Sequence, residues 1–331
     1  MIKNFIASSS CKPGKSKCGD SSFAGNLIIN GEECMLLLVA DGVSTAPKDW
    51  LASQSALDFI LAEIQNSTKA IPDVFSDAIS TANKQIYMGI EGTKGMLTTL
   101  AAVLIHPGKE KIWFFNVGDS RIYGLKNNKW IQLTADDSIS KSFNSKNKMV
   151  LQNGNLLKST FLTNAIGFSS EINVSLKELS LNEYDALILA SDGFYGLYDF
   201  DEYAIKLSFA AQLEKTTLII QSEILSEITD DASFAVIRLP NKERIDLKSL
   251  MLNNTEIKNI STIAVLNVLE TELIQAINES ETAYLEFLMN IIEYKKLYFS
   301  KLKMIELLDL MIAQKNERQI IEKMTSIIRK L

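Results

Sequence analysis

Three runs of apolar side chains end in an aspartate next to a glycine or a serine. Leu36-Leu37-Leu38-Val39-Ala40 leads into Asp41-Gly42, Phe114-Phe115-Asn116-Val117-Gly118 into Asp119-Ser120-Arg121, and Leu187-Ile188-Leu189-Ala190-Ser191 into Asp192-Gly193. A fourth cluster, Thr229-Asp230-Asp231-Ala232-Ser233, stands just before another apolar run. Runs of this length and composition read as strands, which places the carboxylates at strand tips. Gathered carboxylates repel one another unless a cation sits among them. Their oxygen donors suit hard divalent ions such as Mg²⁺ or Mn²⁺. With His106 the single histidine, a histidine-rich zinc or iron centre is excluded. A glycine after the ligand lets the backbone approach the ion and expose a carbonyl. One Asp-Gly alone is only a turn, but turns do not demand aspartate four times over.

The elements that must position these residues divide the chain. All 15 glycines lie at or before Gly196 and all five prolines at or before Pro240. Up to that point short β-rich runs alternate with turn signals: Asn26–Asn30, Glu33–Ala40, Thr98–Ile105, Ile112–Val117, Ser120–Leu125, Trp130–Leu133, Ala186–Ala190 and Ser233–Leu239. Asn30-Gly31, Pro107-Gly108 and Asn127-Asn128 mark hairpins between them. Helical spacing predicts helices over Trp50–Ser67, Ile71–Gly89 and Ser208–Glu227. Meandering strands with consecutive helices indicate an α+β domain of mostly antiparallel sheets, residues 1–241. From about Ile245 apolar residues recur every three or four positions, as in Leu269, Leu273 and Ile277, Leu285, Leu288 and Ile291, or Ile320, Met324 and Ile327. Residues 242–331 are therefore expected to form a small all-helical domain of three or four helices, with breaks near Asn254-Thr255, Ser261, Asn278-Glu279-Ser280 and Lys315-Asn316.

The order of the motifs resembles the metal-dependent serine/threonine protein phosphatases of the 2C type, the PPM family, in their bacterial form. The segments that carry the likeness are Lys15 to Asp20, Val39-Ala40-Asp41-Gly42, Gly95-Met96-Leu97-Thr98-Thr99, Val117-Gly118-Asp119-Ser120-Arg121, Leu133-Thr134-Ala135-Asp136, Asn164-Ala165-Ile166-Gly167, Ser191-Asp192-Gly193 and Asp230-Asp231-Ala232-Ser233. The resemblance covers about residues 5–240 and implies an antiparallel β-sandwich flanked by helices, with a binuclear metal site at one edge. It implies that Asp41 bridges two Mn²⁺ or Mg²⁺ ions, that the Gly42 carbonyl ligates one, and that Asp192 and Asp230 hold the other. Asp20 would orient metal-bound water, and Asp119 with Asp192 would form a looser third site. Lys15 matches the phosphate-binding position, with Lys17 the rival placement. The implied reaction is hydrolysis of phosphoserine and phosphothreonine by a hydroxide bridging the two ions. The implied partners are a phosphorylated protein and an opposing kinase.

Departures from the family pattern bear on activity. Lysine at position 15 supplies charge without an arginine's bidentate fork. Gly19 stands where the first acidic residue of a pair is usual, and Val43-Ser44-Thr45 replace the usual residues after Asp41-Gly42, which removes any general acid there. The alternative these departures allow is a weak or inactive module that binds phosphoproteins and acts through its helical tail. That tail is read as docking a partner, self-associating or autoinhibiting. Ser138–Ser170, with Lys141, Lys146, Lys148 and Lys158, reads as a surface flap beside the site. Cys11 and Cys18 are expected to be ordinary thiols, and His106 a turn residue. The 34 basic and 40 acidic residues give a net charge of −6, which argues against nucleic acid or an anionic membrane as partner. Three cysteines, no signal-peptide pattern and no long apolar run lead to the expectation of a soluble, cytoplasmic protein.

Overall fold

Runs such as Leu36–Ala40 and Leu187–Ala190 carry no polar residue at alternate positions, which suits a strand covered on both faces. The computed structural model describes residues 5–66, 68–126, 129–141, 159–209, 213–239, 247–253, 256, 269, 272–295, 301–314 and 316–330, and in it both faces of these strands are covered. One five-stranded sheet runs in the order β1 (Phe5–Ser10), β12 (Ala232–Arg238), β11 (Ala186–Ala190), β6 (Arg121–Lys126) and β7 (Lys129–Gln132). The other runs β10 (Lys177–Ser180), β5 (Lys111–Val117), β4 (Leu100–His106), β3 (Glu32–Asp41) and β2 (Asp20–Ile29). All pairings within both sheets are antiparallel. β8 (Ser138–Lys141) and β9 (Ser159–Leu162) form a separate two-stranded ribbon.

The sheets pack through Leu37, Val39, Val103, Leu187, Leu189 and Ile237. The alternate residues Leu36, Leu38 and Ala40 face outward onto Ile60, Phe75 and Ile79 of helices α1 (Asp49–Asn66) and α2 (Ile71–Met88). On the opposite side Ile188 and Val236 meet Tyr203, Leu207 and Ile220 of α4 (Phe200–Phe209) and α5 (Leu213–Ile224). The result is the expected sandwich flanked by helices. His106 ends β4 and accepts a hydrogen bond at Nδ1 from the Lys109 N–H at 3.1 Å, the turn role foreseen for it.

Some expectations on element boundaries need correction. β1 and β10 were not foreseen, because Ser8, Ser9 and Ser10 or Lys177 and Glu178 carry no strand signal of their own; pairing with β12 and β5 imposes it. β2 is ten residues long, beginning at Asp20 rather than Asn26. The helix expected over Ser208–Glu227 is two, α4 and α5, the first starting at Phe200.

In the tail the described residues contain α6 (Leu247–Leu252), α7 (272–278), α8 (Thr282–Lys295), α9 (Lys301–Ala313) and α10 (Arg318–Lys330), five helical segments where three or four were expected. Their core includes Leu273, Ile277, Leu285, Leu288, Leu307, Met311, Ile320 and Met324, most of the stripe residues read from the sequence, and among the described residues takes none from before Leu247. Asn316 follows α9 and is buried. Its Nδ2 donates to the Ile277 carbonyl at 3.2 Å and the Met311 carbonyl at 3.3 Å, tying the end of α7 to the end of α9. The breaks expected at Asn254-Thr255 and Ser261 lie outside the described residues. Among the described residues no helix is long and apolar enough to cross a membrane.

Candidate active site

A two-residue loop joins β2 to β3. Asn30 and Gly31 both take positive φ, 53° and 79°, the pattern of a type I′ hairpin turn. That turn fixes the register from Ile29↔Glu32 at one end to Asp20↔Asp41 at the other. Two carboxylates are thus placed directly across a strand pair, where like charges are unfavourable. Asp20 is 4% exposed, and neither of its carboxylate oxygens has a hydrogen-bonding protein group. Burial pushes its carboxyl up to about 7, with nearby Ser191, Ser233 and Asp41 opposing the rise. Asp41 is raised well above the usual carboxylate range by burial and by the charges of Asp20 and Asp192.

The Gly95–Thr99 segment holds the backbone of Asp41. Thr99 N–H and Thr98 Oγ1 both donate to the Asp41 carbonyl, at 2.8 and 2.9 Å, and the Asp41 N–H donates to Thr99 Oγ1 at 2.9 Å. Thr99 Oγ1 is in turn hydrogen-bonded to buried Ser120 at 2.6 Å. A Cβ on Gly42 would lie 2.2 Å from the Asp49 carbonyl oxygen, so the residue after Asp41 has to be glycine. The Val117–Arg121 and Leu133–Asp136 segments also meet. Arg121 forks onto both carboxylate oxygens of Asp136 at 2.9 and 2.7 Å and stacks on Tyr195. Tyr195 Oη donates to the Asp119 carbonyl at 3.0 Å, fixing that aspartate beside the others.

Asp192 opens the single-turn helix α3 (Asp192–Tyr195) directly after β11. Gly193 allows the start of β12 to pass against it: a Cβ there would lie 2.0 Å from the Asp231 carbonyl oxygen. Ser191 N–H donates to the Ser233 carbonyl at 3.0 Å and Ser233 N–H returns a bond to Ser191 Oγ at 2.9 Å. These contacts bring Asp192 alongside Asp230. Burial and the Asp230 charge raise the Asp192 carboxyl, while a hydrogen bond with Asp41 offsets part of the rise. Burial and the Asp192 charge push Asp119 up to about 6.

Asp41, Gly42, Asp119, Asp192 and Asp230 line one cleft of about 400 Å³, together with Lys15, Asp231, Phe161 and Phe168. Six sequence-predicted positions, Lys15 among them, therefore converge. Asp20 stands behind Asp41 and not in the cleft wall. Of the expected flap, β8, β9 and the wall residues Phe161, Leu162, Asn164, Ala165 and Phe168 are described; Lys146, Lys148 and Lys158 lie outside the described residues.

Lys15 reaches the cleft, whereas Lys17 lies over the Trp50 ring, 3.3 Å from its centroid. Lys15 Nζ donates to Asp231 Oδ2 at 2.6 Å and Asp49 Oδ2 at 2.8 Å. Burial disfavours the ammonium, but these two carboxylates outweigh it and hold the pKa of Lys15 above its ordinary value. Asp231 also accepts from the N–H groups of Lys12 at 2.7 Å and Gly19 at 2.5 Å. A Cβ on Gly19 would lie 2.9 Å from Lys15 Nζ and from the Asp49 and Asp231 oxygens, which accounts for glycine where an acid was looked for. Asp49, Thr99 and the Lys15-binding role of Asp231 were not anticipated. The one available signal was Asp231 inside the aspartate cluster; Asp49 looks like an ordinary helix-opening acid.

The donor set fits hard divalent cations. It consists of carboxylates and a backbone carbonyl, burial pushes three of the carboxyls toward their neutral form, and Asp20 is a buried acid with unmet hydrogen-bonding capacity. A linkage result follows. A carboxyl raised in the folded state contributes stability below its unfolded pKa of about 4 and loses it as pH climbs through the folded value. Stripped of metal, the protein should therefore be less stable at about pH 8 than at about pH 5, by on the order of a few kcal/mol, and melt at a lower temperature there. Saturating Mn²⁺ should flatten that slope, as scanning calorimetry across the range would record.

Residues 10–229 match the family described as protein phosphatase 2C. The chain belongs to that family. Among curated 2C-type relatives, the serine/threonine phosphatase stp of Listeria welshimeri is 29% identical over 179 residues, spanning 51% of this chain and 70% of that protein. The stp protein of Listeria innocua is 27% identical over the same length. Among solved structures, a bacterial serine phosphatase superposes with a TM-score of 0.57 at 19% identity, covering 72% of this chain and 98% of its own. Stp1 from Staphylococcus aureus gives 0.57 at 20% identity over 73% of this chain and 96% of its own. The catalytic domain of PstP, solved with two manganese ions, gives 0.51 at 20% identity over 72% of this chain and 98% of its own. At these identities the solved structures establish the 2C fold.

Proposed function

We propose that the chain is a protein phosphatase that hydrolyses phosphoserine and phosphothreonine with two Mn²⁺ or Mg²⁺ ions. Asp41 would be shared between the ions, with the Gly42 carbonyl, Asp192 and Asp230 completing their ligation and Asp119 offering a looser third position. The observation that carries the reading is the convergence of Asp41, Asp119, Asp192, Asp230 and Lys15 on one cleft. Bound there, the ions would acidify water and screen the phosphate oxygens. Asp20, across the strand pair from Asp41, would orient water. Lys15 draws the phosphate to the cleft mouth, where Phe161 and Phe168, 53% and 58% exposed, offer apolar surface to the flanking peptide. Retention of every cleft aspartate weighs against the non-catalytic alternative.

The test is phosphate release from a phosphothreonine peptide with Mn²⁺. Release should stop on adding EDTA and in Asp192→Asn; turnover that survives both would sink the proposal. Lys15→Ala should lower kcat/KM by about 10- to 100-fold, mostly through KM, since a charged hydrogen bond of about 1.5–3 kcal/mol is lost. Steady-state kinetics would check this, with Lys15→Arg retaining most of the activity. We also place a domain boundary near residue 241, with residues 242–331 as a helical unit built on its own core. A chain ending at 241 should then fold and keep turnover.

A further inference from the structure

Cys11 and Cys18 bracket the loop that carries Lys15, Cys11 following β1 and Cys18 preceding β2. Both are free thiols and half-buried. Their sulfurs converge with an oxygen of Asp231, all three donor atoms lying within 4.8 Å of one another. Among the described residues no other trio of histidine, cysteine or acidic side chains is this close. The described cleft aspartates form no trio this close. Hydrolysis at the cleft uses neither thiol.

The surroundings favour a cation over a redox pair. Thiol oxidation proceeds through a thiolate. Burial and the charges of Asp231 and Asp20 push the Cys18 thiol up to about 12, and burial and Asp231 raise Cys11 as well. A divalent ion turns those same anions into partners. Two sulfurs and one oxygen form a softer set than the cleft carboxylates. Zinc takes sulfur at about 2.3 Å and carboxylate oxygen at about 2.0–2.2 Å, so donors round a tetrahedral ion stand about 3.6–3.8 Å apart. Donor atoms within 4.8 Å of one another close onto such an ion by shifts of up to about an ångström. Asp231 Oδ1 accepts the Lys12 N–H at 2.7 Å, while Oδ2 holds Lys15 and the Gly19 N–H.

The geometry points to a second metal site, in which Cys11, Cys18 and Asp231 hold one thiophilic divalent cation of the zinc class. Water takes the fourth position. Binding exchanges the two thiol protons for two metal–sulfur bonds and releases both protons to solvent, with no change of oxidation state. The ion ties the ends of the Lys15 loop together and draws on the same Asp231 that holds Lys15. The site stands independently of the phosphatase reading.

Cd²⁺ is the probe. The full chain, reduced with a phosphine and stripped by chelator, should develop an ultraviolet thiolate-to-cadmium charge-transfer band that saturates at one equivalent. Cys34→Ala should keep the band, Cys11→Ser and Cys18→Ser should lose it, and Asp231→Asn should weaken binding by about tenfold or more. Cadmium in the carboxylate cleft gives no such band, so a failed phosphatase assay leaves this result untouched. The wild-type stoichiometry does not depend on any variant folding. Absence of the band, its persistence without both Cys11 and Cys18, or a Cys11–Cys18 disulfide that survives the phosphine and leaves Cd²⁺ unbound would each overturn the proposal.

Discussion

Asp41→Asn should lower Mn²⁺-dependent phosphate release by roughly a thousandfold, about 4 kcal/mol in the barrier, while raising the melting temperature of the metal-free protein. The two effects share one cause. Asp41 faces Asp20 across the β2–β3 pair and stands beside Asp192, and burial together with the charges of these two drives Asp41 away from its charged form. Without a cation that repulsion is a cost of folding, and an amide of the same shape removes it. The substitution leaves the backbone bonds from Thr98 and Thr99 intact, so the strand end should hold its course. Each kcal/mol recovered should appear as about 2–4 °C in Tm. Kinetics with Mn²⁺ and calorimetry in EDTA, run on the same preparation, separate the effects. Activity within about tenfold of wild type, or a lower metal-free Tm, would contradict the assignment of Asp41.

Gly193→Ala should be the most damaging change that alters no charge. The new methyl carbon would lie 2.0 Å from the Asp231 carbonyl oxygen and 3.3 Å from the Ala232 Cα, against backbone that cannot rotate aside. Relief requires α3 to part from the start of β12, which separates Asp192 from Asp230. Overpacking of this kind costs about 1–3 kcal/mol of stability, and misplacement by about 1 Å costs about a hundredfold in rate. Gly92→Ala is the control. It has open space around the new carbon and a φ of 73°, so it should cost about 1–2 kcal/mol in strain and leave turnover unchanged. Denaturant unfolding with parallel rate measurements would show whether the two substitutions part in this way.

Much of the site was legible because its aspartates end apolar runs that fold as buried strands. Asp41 and Asp192 are announced by local pattern, and the Asn30-Gly31 turn fixes which residue faces Asp41. What the chain does not announce locally is what distant segments impose. β1 exists through its pairing with β12, and the partners of Lys15 come from position 49 and position 231. Asp49 reads as a helix opener, and its bond to Lys15 depends on how α1 packs over β2. The approach of Cys11 to Cys18 follows the closing of a loop whose shape no periodicity describes. Stripes in the tail were readable because helical spacing is local, and so the residues of that core were foreseen more accurately than the number of its helices.

The pairing of Phe5 with Ile237 has a bearing on biosynthesis. During translation β1 must wait, both edges unpaired, until almost everything through Arg238 has left the ribosome. Only then can Asp231 reach Lys12, Lys15 and Gly19. Closing so long a segment is entropically expensive and slow. Nascent chains halted short of that strand should therefore contain folded hairpins but no competent metal centre, and a solitary serine-rich edge is the part most exposed to chaperones in the interval.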